Sequence, residues 1–194
     1  MKQDIILAGV GGQGILSIAF VIDNAALKQG LRFKQAEVHG MAQRGGAVQS
    51  HLRISDTPVS SDLIPKGEAD MILSIEPLES LRYLEYLSPE GIVITSESPF
   101  VNIPDYPNLE KVLEQVRQVK NHVVIDSKAL AREAGLSKAQ NMVMLGAASP
   151  FLVLENKNLM EYIRVLFQRH GDQVVNINLN AYKLGRDLSL GESR

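Results

Sequence analysis

The 194-residue sequence contains no cysteine. That excludes disulfides, a cysteine nucleophile, thiolate-held zinc and any cysteine-ligated iron–sulfur cluster within this chain. Histidine is scarce as well: His39, His51, His122 and His170 are scattered without paired metal-ligand spacing, so no metal site is expected. There is no excess of one charge. A formal net charge of −2 gives no broad attraction to nucleic acid or to acidic membranes. Nor is there a long hydrophobic run. The longest apolar stretch, residues 142–154, includes Ser149 and Pro150 and is too short to span a bilayer, so it reads as core. The N-terminus lacks the basic-then-apolar pattern of a secretion signal: Asp4 precedes a short apolar run that enters a glycine turn. A cytoplasmic address follows as the expectation, with neither nucleic acid nor membrane as a partner.

What is present is an ordinary globular composition, 45% hydrophobic and 22% charged, in a chain of single-domain length. A single domain over residues 1–190 is expected, with 191–194 as a tail. An almost continuously apolar strand is expected at residues 3–8, as for a strand covered on both faces, and a helix over 13–28 ends at Gly30. A second strand falls near 33–38. Residues 47–55 alternate, with Val48, Ser50, Leu52 and Ile54 opposite Gln49, His51 and Arg53, which predicts a half-exposed strand that is antiparallel to a neighbour or at an edge. Further strands are expected at 70–75, 91–95 and 122–125. Helices are expected at 77–87, 109–120, 127–134, 139–154 with Pro150 as a kink, 159–169 and 172–188, and residues 96–108 with their three prolines form an irregular connection. Alternating strands and helices followed by helices alone predict an α/β fold: a three-layer α/β/α Rossmann-like domain with a mostly parallel, mixed sheet and C-terminal helices.

The first strand runs into Gly9-Val10-Gly11-Gly12-Gln13-Gly14, the G-x-G-x-x-G spacing with one extra glycine. A strand, a tight turn and a helix N-terminus make a site where backbone N–H groups point outward, suited to a phosphate, a carboxylate or a closely approaching backbone. Glu37 lies 23 residues after Gly14, near the distance at which a dinucleotide-binding fold places its ribose-binding acid. A stand-alone NAD(P)-binding dehydrogenase or nucleotide sensor is therefore one reading. Against it, Gln13 and Gly12 make the turn more polar and pliable, and no His, Tyr or Lys constellation suits hydride chemistry. A second glycine-rich loop, His39-Gly40-Met41-Ala42-Gln43-Arg44-Gly45-Gly46, follows Glu37 directly. Its arginine can clamp a carboxylate or phosphate bidentately, or can simply be solvated beside a tight turn.

Taken together, these two loops and the later stretches Asn141-Met142-Val143-Met144-Leu145-Gly146-Ala147 and Asn178-Leu179-Asn180-Ala181-Tyr182-Lys183-Leu184-Gly185 resemble the gamma-type subunit of 2-oxoacid:ferredoxin oxidoreductases. Within that family the Glu37–Gly46 segment is most similar to the indolepyruvate type. The resemblance covers essentially the whole chain. It implies oxidative decarboxylation of an aryl pyruvate to an acyl-CoA with reduction of ferredoxin, and an accessory role for this chain. It further implies that thiamine diphosphate, magnesium, the iron–sulfur clusters and the coenzyme A reaction belong to a complex with a large alpha subunit. No cofactor is then held by this chain alone, no catalytic residue is carried onto it, and ferredoxin is met through the complex. The residues implied at the active-site mouth, in contact with the partner or with an anion, are Gly9, Gly11, Gly12, Gln13, Gly14, Glu37, His39, Arg44, Gly45 and Gly46.

Overall fold

In a computed structural model, residues 1–39, 45–101 and 103–192 are described, apart from the side chains of His39 and Glu192. Six strands form one mixed sheet: β1 (Lys2–Val10), β2 (Arg32–His39), β3 (Ala47–Ser55), β4 (Ala69–Ser74), β5 (Leu87–Ser96) and β6 (Asn121–Ile125), in the order β2-β3-β1-β4-β5-β6. β1, β4, β5 and β6 run parallel, while β3 is antiparallel to both β1 and β2. The helices are α1 (Ile15–Lys28), α2 (Pro77–Leu81), α3 (Leu109–Arg117), α4 (Ser127–Glu133), α5 (Gln140–Ala148), α6 (Asn156–Phe167) and α7 (Asp172–Glu192). One sheet face packs on α1 and the C-terminal helices through Ile5, Leu7, Leu52, Ile54, Met71 and Leu73; the other carries Ile6, Ile72 and Val93 toward Val116 of α3. Three layers result, the C-terminal one the thicker. Among the described residues no helix is long and apolar enough to cross a membrane.

Three local expectations are corrected. Strand β3 is antiparallel to its neighbours, as expected, but it is not half-exposed and not at an edge: it lies between β2 and β1, and His51 and Arg53 are buried. Their polar atoms are satisfied there. Arg53 holds Asp4 through two bonds of 2.9 Å and donates to the carbonyls of Ser61 and Leu63, while His51 Nδ1 accepts from Ile64 N at 3.1 Å. The segment 56–68 thus covers a face that alternation alone leaves open. The helix expected over 77–87 is a five-residue α2 followed by a 3-10 turn, Leu84–Tyr86. Pro150 ends α5 rather than kinking it, because a 3-10 turn at Ser149–Phe151 releases the chain into extended backbone at Leu152.

Two of the stretches that carried the family resemblance form one helix crossing. A Cβ at Gly146 of α5 would fall 1.9 Å from the Tyr182 carbonyl oxygen, and one at Gly185 of α7 would fall 2.0 Å from that of Val143. The backbones touch there, and only glycine fits on either side.

Candidate functional site

β1 delivers the chain to the carboxyl end of the parallel strands, where residues 11–14 turn into α1. Val10 N donates to Gln13 Oε1 at 2.8 Å and Gln13 N donates to the Val10 carbonyl at 3.1 Å, so the glutamine closes the turn on itself. Gly14 adopts φ 86°, the left-handed region that favours glycine, and its carbonyl accepts from Asn141 Nδ2 at 3.4 Å. Gly9 packs beneath: a Cβ on it would come within 2.9 Å of Gln13 Oε1 and Ile15 Cδ1. The second glycine loop is tied to the first, with Gly11 N donating to the Gly46 carbonyl at 2.8 Å and Gly45 N to the Gly11 carbonyl at 3.3 Å.

These bonds bear on nucleotide binding. A dinucleotide turn leaves its amides facing the pyrophosphate, whereas here the amides of Gly11 and Gln13 are engaged within the protein. Glu37 is also displaced. In register it is level with Ser50 of β3, which is level with Leu7 of β1, so a whole strand separates it from β1, about 10 Å at the usual strand spacing. It accepts a hydrogen bond from Gln35 and raises the pKa of Asp23 on α1.

Beyond the ends of the parallel strands lies a cavity of about 500 Å³. Gly11, Gly12, Gln13 and Gly45 of the two glycine loops line it, with Ile75, Ser98, Pro99 and Phe100 and with Lys128, Ser137, Lys138 and Gln140. Among the described residues the two lysines are its only charged lining, so the cavity is suited to an anion.

Its walls are fastened by buried hydroxyls and two carboxylates. Ser127 at the start of α4 bonds Ser96 of β5 at 2.7 Å and Gln140 of α5 at 3.2 Å, joining three elements at the rim. Asp126 caps α4 through Ala129 N at 2.9 Å. Glu76 caps α2 through Glu79 N at 2.8 Å, and its other oxygen accepts from Phe100 N at 3.4 Å and from the Tyr106 hydroxyl, pinning the 97–108 connection. Burial, reinforced by the bond to Glu76, pushes the Tyr106 hydroxyl pKa up, so it stays a proton donor. No group of three or more potential metal ligands occurs among the described residues.

Of the ten residues singled out in the sequence, Gly11, Gly12, Gln13 and Gly45 line the cavity. Gly9, Gly14 and Gly46 support it from behind, and Glu37 lies on the far side of β3. His39 ends β2, and Arg44 lies outside the described residues. Lys128, Lys138, Ser98 and Gln140 were missed. Lys128 reads in sequence as part of a helix start, which it is; only the packing of α4 against the start of α5 makes it a cavity residue as well.

Residues 4–188 match the family model of pyruvate ferredoxin/flavodoxin oxidoreductase. The chain is 38% identical over 196 residues to indolepyruvate oxidoreductase subunit IorB of Pyrococcus horikoshii, with 95% of each chain covered. It is 26% identical to 2-oxoglutarate synthase subunit KorC of Methanothermobacter thermautotrophicus over 205 residues, covering all of this chain and 98% of that one. Among solved structures, a 2-oxoglutarate:ferredoxin oxidoreductase from Magnetococcus marinus, with 2-oxoglutarate, coenzyme A and succinyl-CoA bound, superposes with a TM-score of 0.78 at 21% identity. That match covers 98% of this chain but spans only 31% of the other. The gamma subunit of a keto/oxoacid ferredoxin oxidoreductase from Geobacter sulfurreducens gives a TM-score of 0.75 at 21% identity, with 98% of each chain covered, and shares the fold. The match over nearly the full length, together with a relative above one-third identity, establishes that the chain belongs to the pyruvate ferredoxin/flavodoxin oxidoreductase family.

Proposed function

We propose that this chain is the accessory, non-redox subunit of an indolepyruvate-type 2-oxoacid:ferredoxin oxidoreductase, and that its lysine-flanked cavity receives the anionic part of coenzyme A. The carrying observation is the cavity itself. Two glycine loops bring backbone to its lining, Lys128 and Lys138 supply positive charge there, and no carboxylate lines it among the described residues. A polyphosphate meets both features, since lysine binds phosphate as a point charge and glycine lets the backbone approach. The IorB relatives direct the reading to aryl pyruvates.

The donor set of this chain does not fit a cysteine-held iron–sulfur cluster, because it has no thiol. Electron transfer therefore has no step here. Thiamine diphosphate, magnesium and the clusters are assigned to a large alpha subunit, which passes electrons to ferredoxin, and the complex is placed in the cytoplasm. This chain binds and orients: the lysines hold the acyl acceptor by its phosphates, and the Gly11–Gly45 pairing keeps the two loops as one wall. The rival reading as an NAD(P) dehydrogenase is disfavoured by the engaged Gly11 and Gln13 amides and by the displacement of Glu37.

The test is steady-state kinetics of the reconstituted complex. Lys128→Ala combined with Lys138→Ala is expected to raise KM for coenzyme A at least tenfold while KM for the 2-oxoacid stays within twofold. An unchanged coenzyme A KM overturns the assignment of the cavity.

A further inference from the structure

We infer that the flank of α1 beside β2 is where the companion subunit docks, through a segment that presents an apolar side chain and a lysine or arginine about 10 Å apart. The inference rests on the subunit reading above and assigns it a surface. Leu16, Phe20, Asp23 and Leu27 recur at intervals of four, three and four residues, so they share one helix flank. Leu16 is 49% exposed, Phe20 37% and Leu27 56%, although a helix on a free-standing protein turns polar residues to that side. Leu16 also borders a second cavity of about 250 Å³, walled by Val10, Ile15, Val48 and the glycine turn, which is roomy enough for an apolar side chain. Asp23 lies seven positions beyond Leu16, about 10 Å along the helix axis.

Asp23 supplies the polar half of the recognition. It is only 6% exposed, and its Oδ1 is buried with no hydrogen-bond partner among the described residues. A carboxylate left in that condition is costly to a protein on its own, and a cation arriving from outside relieves the cost. Among the described residues, the charged groups near it are these. Glu37 of β2 acts on it and raises its pKa. Lys28, further along α1, pairs with Glu161 of α6 at 3.1 Å. Arg32 and Lys34 alternate to the opposite face of β2 from Gln35 and Glu37, and Lys34 donates to the Ser60 carbonyl. β1 and β3 turn Ile5, Leu7, Val48, Ser50 and Leu52 toward α1, and α5 has no charged residue. Burial, with Glu37 second, raises Asp23 to about 7, so an incoming cation displaces a proton from it near neutral pH.

The experiment uses the full chain and the thiamine-diphosphate-bearing subunit that co-purifies with it. At pH 8, Asp23→Asn and Phe20→Asp are each expected to weaken association at least tenfold. The wild-type affinity should fall about tenfold between pH 8 and pH 6, and the Asp23→Asn affinity should not. Because the chain has no native cysteine, Phe20→Cys can be labelled with a benzophenone maleimide; it should cross-link to the companion, whereas labelled Leu63→Cys, at an exposed position in the 56–68 segment, should not. This arm decides the matter if Phe20→Asp fails to fold. Variants that bind within twofold of wild type, or cross-linking from position 63 and not 20, overturn the docking face while leaving the subunit reading intact. Self-association of the isolated chain that Phe20→Asp abolishes gives the face to a second copy and overturns it equally. Absence of any such companion overturns the subunit reading itself.

Discussion

Asp23 is an acid in a helix whose neighbouring buried positions are Ile18, Ala19, Ile22 and Ala26, and its environment reverses the usual carboxylate behaviour. Its pKa rises from 3.8 to about 7, through burial first and Glu37 second. Between those two values the folded chain keeps a proton that the unfolded chain has released, so this group's contribution to stability falls as pH rises and levels off above about 7. At about 1.4 kcal/mol per unit, the full cost is at most about 4 kcal/mol. Asp23→Asn is therefore expected to stabilise the isolated chain at pH 8 and to change little at pH 4, as read by urea unfolding at the two pH values. An equal effect at both contradicts the assignment. Sequence alone marked Glu37 for its distance from the glycine turn and passed over Asp23, since an acid within a helix ordinarily reads as solvated. What carries Glu37 away from the glycine turn is the insertion of β3 between β1 and β2, a pairing that no local pattern records. The same limit applies to the cavity: glycine spacing identified Gly11, Gly12 and Gln13 because a backbone turn is a local event, whereas Lys128 and Lys138 meet it only by tertiary convergence.

At the scale of elements, strands covered on both faces were the most legible parts of the chain, since β1 and β4 are continuous apolar runs bounded by turns. β3 was misjudged because its alternation is real but both of its faces are covered, one by apolar packing and the other by the Arg53–Asp4 pair and the 56–68 segment. The α5–α7 crossing was visible only as resemblance, through Gly146 and Gly185, and geometry supplies its reason. Each glycine faces the backbone of the other helix at a distance that leaves no room for a methyl group. Gly146→Ala is expected to push the helices apart and destabilise the chain by about 3 kcal/mol, lowering Tm by roughly 6–12 °C in a domain of this size. Calorimetry would show it. Because α5 also supplies Asn141 to Gly14 and Gln140 to the cavity, the variant is expected to loosen the glycine turn too.

At the scale of the molecule, the two proposals rest on two different sides of one sheet. Its carboxyl end holds a cationic cavity for an anion, and the α1 flank next to the edge strand holds an apolar stripe with one ill-solvated acid. A chain without cysteine holds no cysteine-ligated iron–sulfur cluster of its own. The most direct measurement is reduction of ferredoxin by the purified chain and its companion, assayed separately and together with an aryl pyruvate and coenzyme A. The account predicts no turnover from the isolated chain with any acceptor, and 2-oxoacid-dependent and coenzyme-A-dependent turnover once the two are combined. Reduction of NAD or NADP by the isolated chain alone would contradict it.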